Sequence, residues 1–455
     1  MHHEDLDPSP RQRKHSGSMA GRSEEKEHNA DASAGNLPKD LADKTLQIRK
    51  LMEQLGRLRT DAQPQDTDRE HKFWKTQPVS QDDTSEAAIV DGPIEDEKSK
   101  DELRKEPYPL PVEFQWCVVD MDDPVQRREL YELLNCNYVE DVESLFRFDY
   151  PENFLDWALK APGWVSDWHL GVRVTETGKL VAFIGAVPSQ MQVRDHQTVA
   201  VEVNFLCVHK RLRSKRLAPL MIREITRRVN RHGIFQALYT AGAILPGVIS
   251  KARYYHRPLN FKKLVEVGFT AVPLGKSVEN MTLKYHLAKE HQLGNSIRPM
   301  VAADVPQVHV LLAEYLKRFH LYMHFSKVDI AHWLLPRENI LYSFVVETDG
   351  QVTDFISFYS LPSTVVNNSL HSRISVAYLF YYAASSSLQL QRIVHAALVI
   401  ARDCGFDVFN CVEIMENNLF LKNLKFGEGD GDLHYYLFNW RTRSIEPHKN
   451  AVVML

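Results

Sequence analysis

Cysteine is scarce in this chain. Its five residues (Cys117, Cys136, Cys207, Cys404 and Cys411) among 455 are odd in number and include no Cys-x-x-Cys pair. That excludes a disulfide framework and the common zinc modules, and fits thiols kept reduced in the cytoplasm. Long apolar runs are missing too: none approaches the roughly 18 residues of a spanning helix, and mean hydropathy is −0.34. The opening Met-His-His-Glu-Asp has no apolar stretch to act as a secretory signal. Positive charge is not in excess either. Lys+Arg 55 against Asp+Glu 59 leaves a net −4, so no overall basic field exists to grip nucleic acid. The absences together describe a soluble cytoplasmic protein.

What is present is ordinary globular composition, 44% hydrophobic and 25% charged. The length suits two or three domains of roughly 150 residues with a core that needs no staples. Residues 1–70 depart from this. They are rich in Ser, Asp, Glu, Lys, Gln and His and poor in aromatics, so they bury too little apolar surface to offset ordering entropy, and disorder is expected. Within them, Leu41, Leu51, Leu55 and Leu58 with Ile48 mark a short amphipathic helix over 41–58. Phe73-Trp74 then interrupts polar sequence, which predicts a strap docking on the folded body.

The chain is written twice. Val172–Gly178 leading to Phe183-Ile184 matches Val345–Gly350 leading to Phe355-Ile356, and Gly178 and Gly350 lie 172 residues apart. Both read as a hairpin. An apolar strand follows in each, Val201–Val208 and Val376–Phe380, then a helix, roughly Leu217–Val229 and Gln389–Ala401, then a stop glycine, Gly233 or Gly405. Upstream, Asp123-Pro124 and Asp304-Val305-Pro306 each open a helix with an N-cap signal. The expectation is an α/β (α+β) protein of two tandem units, 71–290 and 291–455, related by a pseudo-two-fold, each a mainly antiparallel sheet flanked by helices.

The copies differ in one loop. After the first strand come Lys210, Arg211, Arg213, Lys215 and Arg216, whereas the matching Tyr381–Ser387 carries no charge. Cations between a strand and a helix start, where backbone N–H groups point outward, make a receptor for a pyrophosphate or a phosphorylated ribose. A solvated basic loop is the alternative. Three other features carry little. Cys207 in an apolar strand reads as packing, and Gly427–Gly431 has the glycine density of a phosphate loop but precedes a strand. His320 and His324 lie four apart on a run read as helical, without the Glu of a zinc motif.

The segment Val201–Lys210, continuing through Leu212–Pro219 to Ile225–Arg228, resembles the first signature of the N-myristoyltransferase family (glycylpeptide N-tetradecanoyltransferases). Lys425–Gly431 with Tyr435-Tyr436-Leu437 resembles the second. The resemblance runs from Phe73 to Leu455 and points to an animal-like member. It implies a tandem GNAT-like fold and an acyltransferase that moves a myristoyl group from myristoyl-CoA to the α-amine of an N-terminal glycine. No metal is implied. It also implies roles for residues. Backbone amides of Phe205 and Leu206 form an oxyanion hole, and the carboxylate of Leu455 is the general base. Lys72, Phe73, Trp74, Phe205, Leu206, Cys207, Val208, Arg213, Ser214, Lys215, Arg216, Leu217 and Ala218 bind the acyl-CoA, Lys72 standing where an uncharged polar residue is usual. The peptide falls to Tyr138, Asp141, Val142, Phe146, Phe148, Asn204, Thr240, Gly242, Tyr254, His256, Ser363, Tyr378 and Asp430, with Val142 where relatives carry an acid. The expected partners are proteins with an exposed N-terminal glycine, and the expected state is a monomer. Transient association with ribosomes or a membrane surface follows from the family, although this chain lacks its Lys-rich block. Two alternatives remain at this point: a non-catalytic binder of acyl-CoA or glycine N-termini, and an acyltransferase for shorter chains.

Overall fold

The structure is a computed structural model, and it describes residues 72–81, 89–139, 145–213 and 215–455. The helix expected over 41–58, and the site candidates Asp141, Val142 and Ser214, lie outside the described residues.

The first half runs β1 (Phe114–Val118), α1 (Pro124–Asn137), β2 (Phe146–Phe148), α2 (Glu152–Leu159), β3 (His169–Val174), β4 (Leu180–Val193) and β5 (His196–Val208). It continues with α3 (Leu217–Asn230), β6 (Gln236–Ala241) and β7 (Val248–Pro258). Two short helices, α4 (Phe261–Glu266) and α5 (Val278–Tyr285), lead into the second half. That half runs β8 (Ile297–Pro299), α6 (Val305–Leu316), β9 (Leu321–Met323), α7 (Lys327–Leu334), β10 (Leu341–Thr348), β11 (Gln351–Ser360), β12 (Ser363–Val365) and β13 (Arg373–Ile374). It ends with β14 (Val376–Ala383), α8 (Ser387–Asp403), β15 (Val408–Val412), α9 (Asn418–Leu421) and β16 (Gly427–Phe438).

The repeated elements all form. The hairpins β3–β4 and β10–β11 are antiparallel. The apolar strands that follow, β5 and β14, pair in parallel with β6 and β15 across the helices α3 and α8. Such a parallel pair needs a crossover, and each helix supplies it. Gly233 and Gly405 stop the helices at φ +80° and +82°, a conformation only glycine adopts without strain.

Among the described residues, thirteen strands form one sheet, in the order β1-β3-β4-β5-β6-β16-β7-β15-β14-β11-β10-β8 with β9 added beside β4. At its centre the halves exchange their last strands. β16, from the second half, pairs with β6, while β7, from the first, pairs with β15. β7 and β16 then pair antiparallel and weld the halves into one sheet. β2, β12 and β13 form a small separate sheet. Helix α3 covers one face through Leu217, Met221, Ile225 and Val229 against Ile184, Ala186 and Val201. The other core holds α1, α2, α6 and α8 and spans both halves.

Three local expectations are corrected. Asp123 caps α1 by accepting from the Val125 N–H at 2.8 Å. Asp304 does not cap α6: Arg298 engages both its oxygens at 2.7 and 2.8 Å, and it accepts from the Val301 N–H. An arginine fork outcompetes a lone amide for a carboxylate. His320 and His324 flank strand β9 and are not on a helix. They are held by Arg194 and Gln192, and no metal-binding group occurs among the described residues. Gly427–Gly431 is not a loop before a strand but the start of β16 itself, bulged between Glu428 and Asp432.

Candidate active site

Parallel pairing of β5 with β6 covers only Ala200–Glu202 against Gln236–Leu238. Beyond it, β5 follows β4 and β6 follows β16, so the two strands splay apart. The wedge between them is a cleft of about 970 Å³, mouth included. Its walls are Val201, Val203 and Leu206 on one side, Ala237 and Tyr239 on the other, with Ile222, Ile225 and Val229 of α3 behind. Splayed backbones leave edges that cannot hydrogen-bond each other, and aliphatic walls suit an extended alkyl chain.

At the point of splay β5 carries a bulge. Gly185 faces Asn204 and Phe183 faces Cys207, so Phe205 and Leu206 together oppose Ile184. Phe205 sits at φ +59° while 1% exposed, an unusual backbone state for a bulky residue. A bulge leaves its extra residue outside the regular ladder. The Phe205 amide faces the Tyr138 hydroxyl, and its ring packs on Tyr138 and Tyr150. The strain is therefore held in place by buried aromatic packing. Asn204, Phe205, Leu206, Tyr138 and Thr240 all line the cleft.

So does Leu455. The chain end is buried in the body: Ala451 and Val452 are 0% exposed. Its backbone is tied by Ala451 N–H to Leu321 O at 2.7 Å and Val453 N–H to the Tyr381 hydroxyl at 3.3 Å. The Tyr435 hydroxyl donates to Val452 O at 3.0 Å. Chain ends usually fray in solvent; this one is threaded to the cleft that the bulge also lines.

The strap over the cleft docks through aromatics. Trp74 stacks on Tyr239 at 5.5 Å, Tyr239 stacks on Tyr436 at 5.0 Å, and Arg223 of α3 lies over the Phe73 ring. Trp74 lines the cleft, whereas Lys72 is exposed before the strap.

At the N-terminus of α3, Arg216 occupies the cap at φ +60°. Among the described residues no side chain caps the first turn, and no acid lies in it. In the sister copy the Ser386 hydroxyl caps α8 by accepting from the Gln389 N–H, and Ser385 is bound to Asp354. Among the described residues no side chain fills the outward N–H groups of the first copy, whereas Ser386 fills one in the second. Asn137, at the end of α1, shapes the cation loop: its side chain accepts from Lys210 N–H at 3.0 Å and its carbonyl from Arg213. Lys215 and Arg216 are exposed; Leu217 and Ala218 form the first turn of α3.

Cys207 and Val208 follow the bulge on β5. Burial pushes the Cys207 thiol up to about 12, and its Sγ lies 3.9 Å from Leu133 O, so it is a packing residue, not a nucleophile.

A second pocket opens between the sheet and the small β2–β12–β13 sheet. It brings together Phe146, Phe148, Tyr254, His256, Ser363 and Tyr378. Burial pushes Tyr254 up to about 12 and also raises Tyr378, so both stay neutral. Burial lowers His256, against the pull of Asn410 and Asp430, so the ring is neutral at pH 7. Asp430 is exposed on the β16 bulge. Its neighbour Gly429 is required as glycine, because a Cβ there would meet His256 Nε2 at 2.4 Å. Gly242, just past β6, is exposed, and a Cβ on it would meet open space. Sequence reasoning missed Asn137, Tyr239, Phe269 and Asn410. Only Asn410 had a visible signal, as the polar residue within the apolar run Val408–Val412.

Comparison with known proteins agrees with this geometry. Residues 93–252 match the family described as Myristoyl-CoA:protein N-myristoyltransferase, N-terminal domain, and residues 266–453 match its C-terminal domain. A glycylpeptide N-tetradecanoyltransferase from Eremothecium gossypii is 46% identical over 396 residues, 83% of this chain and 87% of the relative. Glycylpeptide N-tetradecanoyltransferase 2 from Danio rerio is 47% identical over 410 residues, covering 90% and 82%. The crystal structure of Saccharomyces cerevisiae N-myristoyltransferase with bound myristoyl-CoA superposes with TM-score 0.82 at 43% identity, covering 85% of this chain and 95% of that one. The chain belongs to the myristoyl-CoA:protein N-myristoyltransferase family.

Proposed function

We propose that this chain transfers a myristoyl group from myristoyl-CoA to the α-amine of an N-terminal glycine. The observation that carries the reading is convergence on one cleft: aliphatic walls, the Phe205–Leu206 bulge and the half-buried chain end at Leu455. The alkyl chain lies between β5 and β6, and the CoA phosphates lie at the uncapped N-terminus of α3 among Arg213, Lys215 and Arg216. Trp74 closes the strap over the cofactor.

The glycine nitrogen attacks the thioester carbon, forming the N–C bond. The carbonyl oxygen becomes an oxyanion facing the Leu206 amide and, once the Tyr138 hydroxyl yields it, the Phe205 amide; one such donor is typically worth about 2.7–4 kcal/mol. The attacking amine gives its proton to the Leu455 carboxylate; the C–S bond then breaks, and the CoA thiolate leaves to be protonated as the thiol. In water the two partners differ by about four pKa units, 3.3–3.7 against 7.7–8.0. Enclosure of the two groups by bound acyl-CoA and peptide would narrow that gap by destabilising each charged form. The peptide beyond its glycine runs into the His256–Tyr378 pocket. Residues from both halves of one chain build the whole cleft, which supports action as a monomer.

The test is CoA thiol release from myristoyl-CoA with an octapeptide beginning Gly and carrying Ser fifth, run beside acetyl-CoA and the N-acetylated peptide. Turnover only with the long acyl chain and the free amine is expected. Tight acyl-CoA binding without release would overturn the reading in favour of a binding protein.

A further inference from the structure

The chain end is fixed step by step, and the steps stop short of the residue that carries the carboxylate. The Met415 N–H donates to Asn450 O at 2.9 Å, the Ala451 N–H to Leu321 O at 2.7 Å and the Val452 N–H to Asn450 Oδ1 at 3.0 Å. The last contacts come from tyrosines. The Tyr435 hydroxyl donates to Val452 O at 3.0 Å, and the Val453 N–H donates to the Tyr381 hydroxyl at 3.3 Å. Among the described residues no hydrogen bond holds the backbone of Met454 or Leu455.

Val452 O and Val453 N–H belong to one peptide group. That group is planar and trans, so its C=O and N–H point in opposite directions. A partner at each end leaves the plane no freedom to rotate about the chain. The partners come from different strands, Tyr435 from β16 and Tyr381 from β14, and they are 0% and 2% exposed. Phe325 and Phe380 pack edge-on against the Tyr381 ring at 5.0 and 4.8 Å. Its backbone is held as well, since Ser357 Oγ donates to Tyr381 O and accepts from Tyr381 N–H. Burial raises the pKa of both hydroxyls, so both keep their protons. Packing alone would be served by phenylalanine; a buried hydroxyl costs free energy unless it is bonded, and these are bonded to the tail. Beyond the gripped group, the Met454 side chain is buried and Leu455 packs against the core.

We infer that Tyr381 and Tyr435 are positioning residues for acyl transfer: by gripping the two ends of the Val452–Val453 peptide group, they hold the Leu455 carboxylate at the cleft. The inference rests on the reading of that carboxylate as the base, proposed above.

The test measures single-turnover acyl transfer, with acyl-CoA and peptide affinities, for Tyr381→Phe and Tyr435→Phe. Each is made in the full chain with a free and with an amidated Leu455. With the free carboxylate each variant loses about 10- to 100-fold in rate, the scale of a misplacement of about 1 Å, while both affinities change less than about threefold. With the amide the same substitutions cost less than about threefold, because no charged base is left to misplace and groups acting as a unit are not additive. A merely structural role lowers the rate equally in both backgrounds. Should the Phe variants fail to fold, a backbone ester in place of the Val452–Val453 link, joined by the chain-end ligation that also supplies the amide, leaves every side chain in place. It removes the N–H that meets Tyr381 and weakens the carbonyl that meets Tyr435, and it loses rate only with the free carboxylate. Equal losses in the two backgrounds, or an unchanged rate with the free carboxylate in the folded variants or the ester, overturn the inference and leave the carboxylate as base. An amidated wild type that keeps its rate removes the base reading and the inference with it, so the wild-type pair alone tells the two failures apart.

Discussion

Converting the α-carboxylate of Leu455 to a carboxamide is the smallest change that tests whether the chain end is the base. Shape and packing persist, and only charge and proton affinity are lost. A positioned general base contributes about 10²- to 10⁴-fold, or about 2.7–5.4 kcal/mol at 1.36 kcal/mol per decade. Deleting Val453–Leu455 should match it by geometry. Val452 O stays anchored to the Tyr435 hydroxyl, so the new carboxylate ends three residues short, withdrawn by roughly 10 Å at about 3.3 Å per residue. No proton crosses that distance directly. The assay is single-turnover acyl transfer beside acyl-CoA affinity. Both variants should lose two to four decades in rate with affinity changed less than about threefold. The deletion also removes the buried Met454 side chain, which costs about 1.5–3 kcal/mol of stability; the amide does not, so it separates fold from chemistry. An amidated chain retaining kcat within about threefold would refute the terminal carboxylate as base.

Replacing Arg213, Lys215 and Arg216 together with Ala should weaken acyl-CoA binding about tenfold, at roughly 0.5 kcal/mol per exposed charge, with a shallower salt dependence; unchanged affinity in a titration across salt would make the loop mere solvated surface. Gly429→Ala should raise peptide KM severalfold without moving acyl-CoA affinity, because the new Cβ would overlap His256 Nε2; an unaltered KM would mean the ring is not part of the peptide site. Glu224 is fully buried and binds Arg227 at 2.6 Å and Arg228 at 3.0 Å. Burial opposes its charge, but the two guanidiniums and the Tyr108 amide prevail and lower its pKa. Its contribution is therefore present above the ordinary carboxylate pKa and lost as pH falls through the folded value. Glu224→Gln should cost about 3 kcal/mol in urea unfolding at pH 7 by stranding Arg227, while Arg228 keeps Asp167 at 2.6 Å, with the deficit shrinking toward pH 3; a constant deficit would contradict the ion-pair account.

Much of this was legible along the chain. Hairpin, strand, helix and stop glycine recur because each is coded locally, by alternation, by 3.6-residue spacing and by the need for positive φ at Gly233 and Gly405. The cation cluster was legible as well, since the five cations between Lys210 and Arg216 sit where a strand hands over to a helix. Asp304 misled because its local signal, an acid ahead of a first-turn proline, was overruled by Arg298 from β8. The histidines misled because a spacing of four has no meaning until the period is known, and β9 is a strand.

What the sequence by itself determined, then, is the inventory: two copies of one unit, one copy with a cation-rich loop before its helix, and an apolar chain end. Tertiary structure alone decided which pieces meet. The exchange of β7 and β16 between halves brings His256 from the first copy beside Asn410 and Tyr378 from the second. The splay of β5 from β6 opens the cleft, and the threaded tail brings Leu455 to Phe205 across 250 residues of chain. Such contacts arise from long-range strand pairing, whose register is set by burial of whole faces at once. No window of sequence contains that information, because the partner strand lies far along the chain.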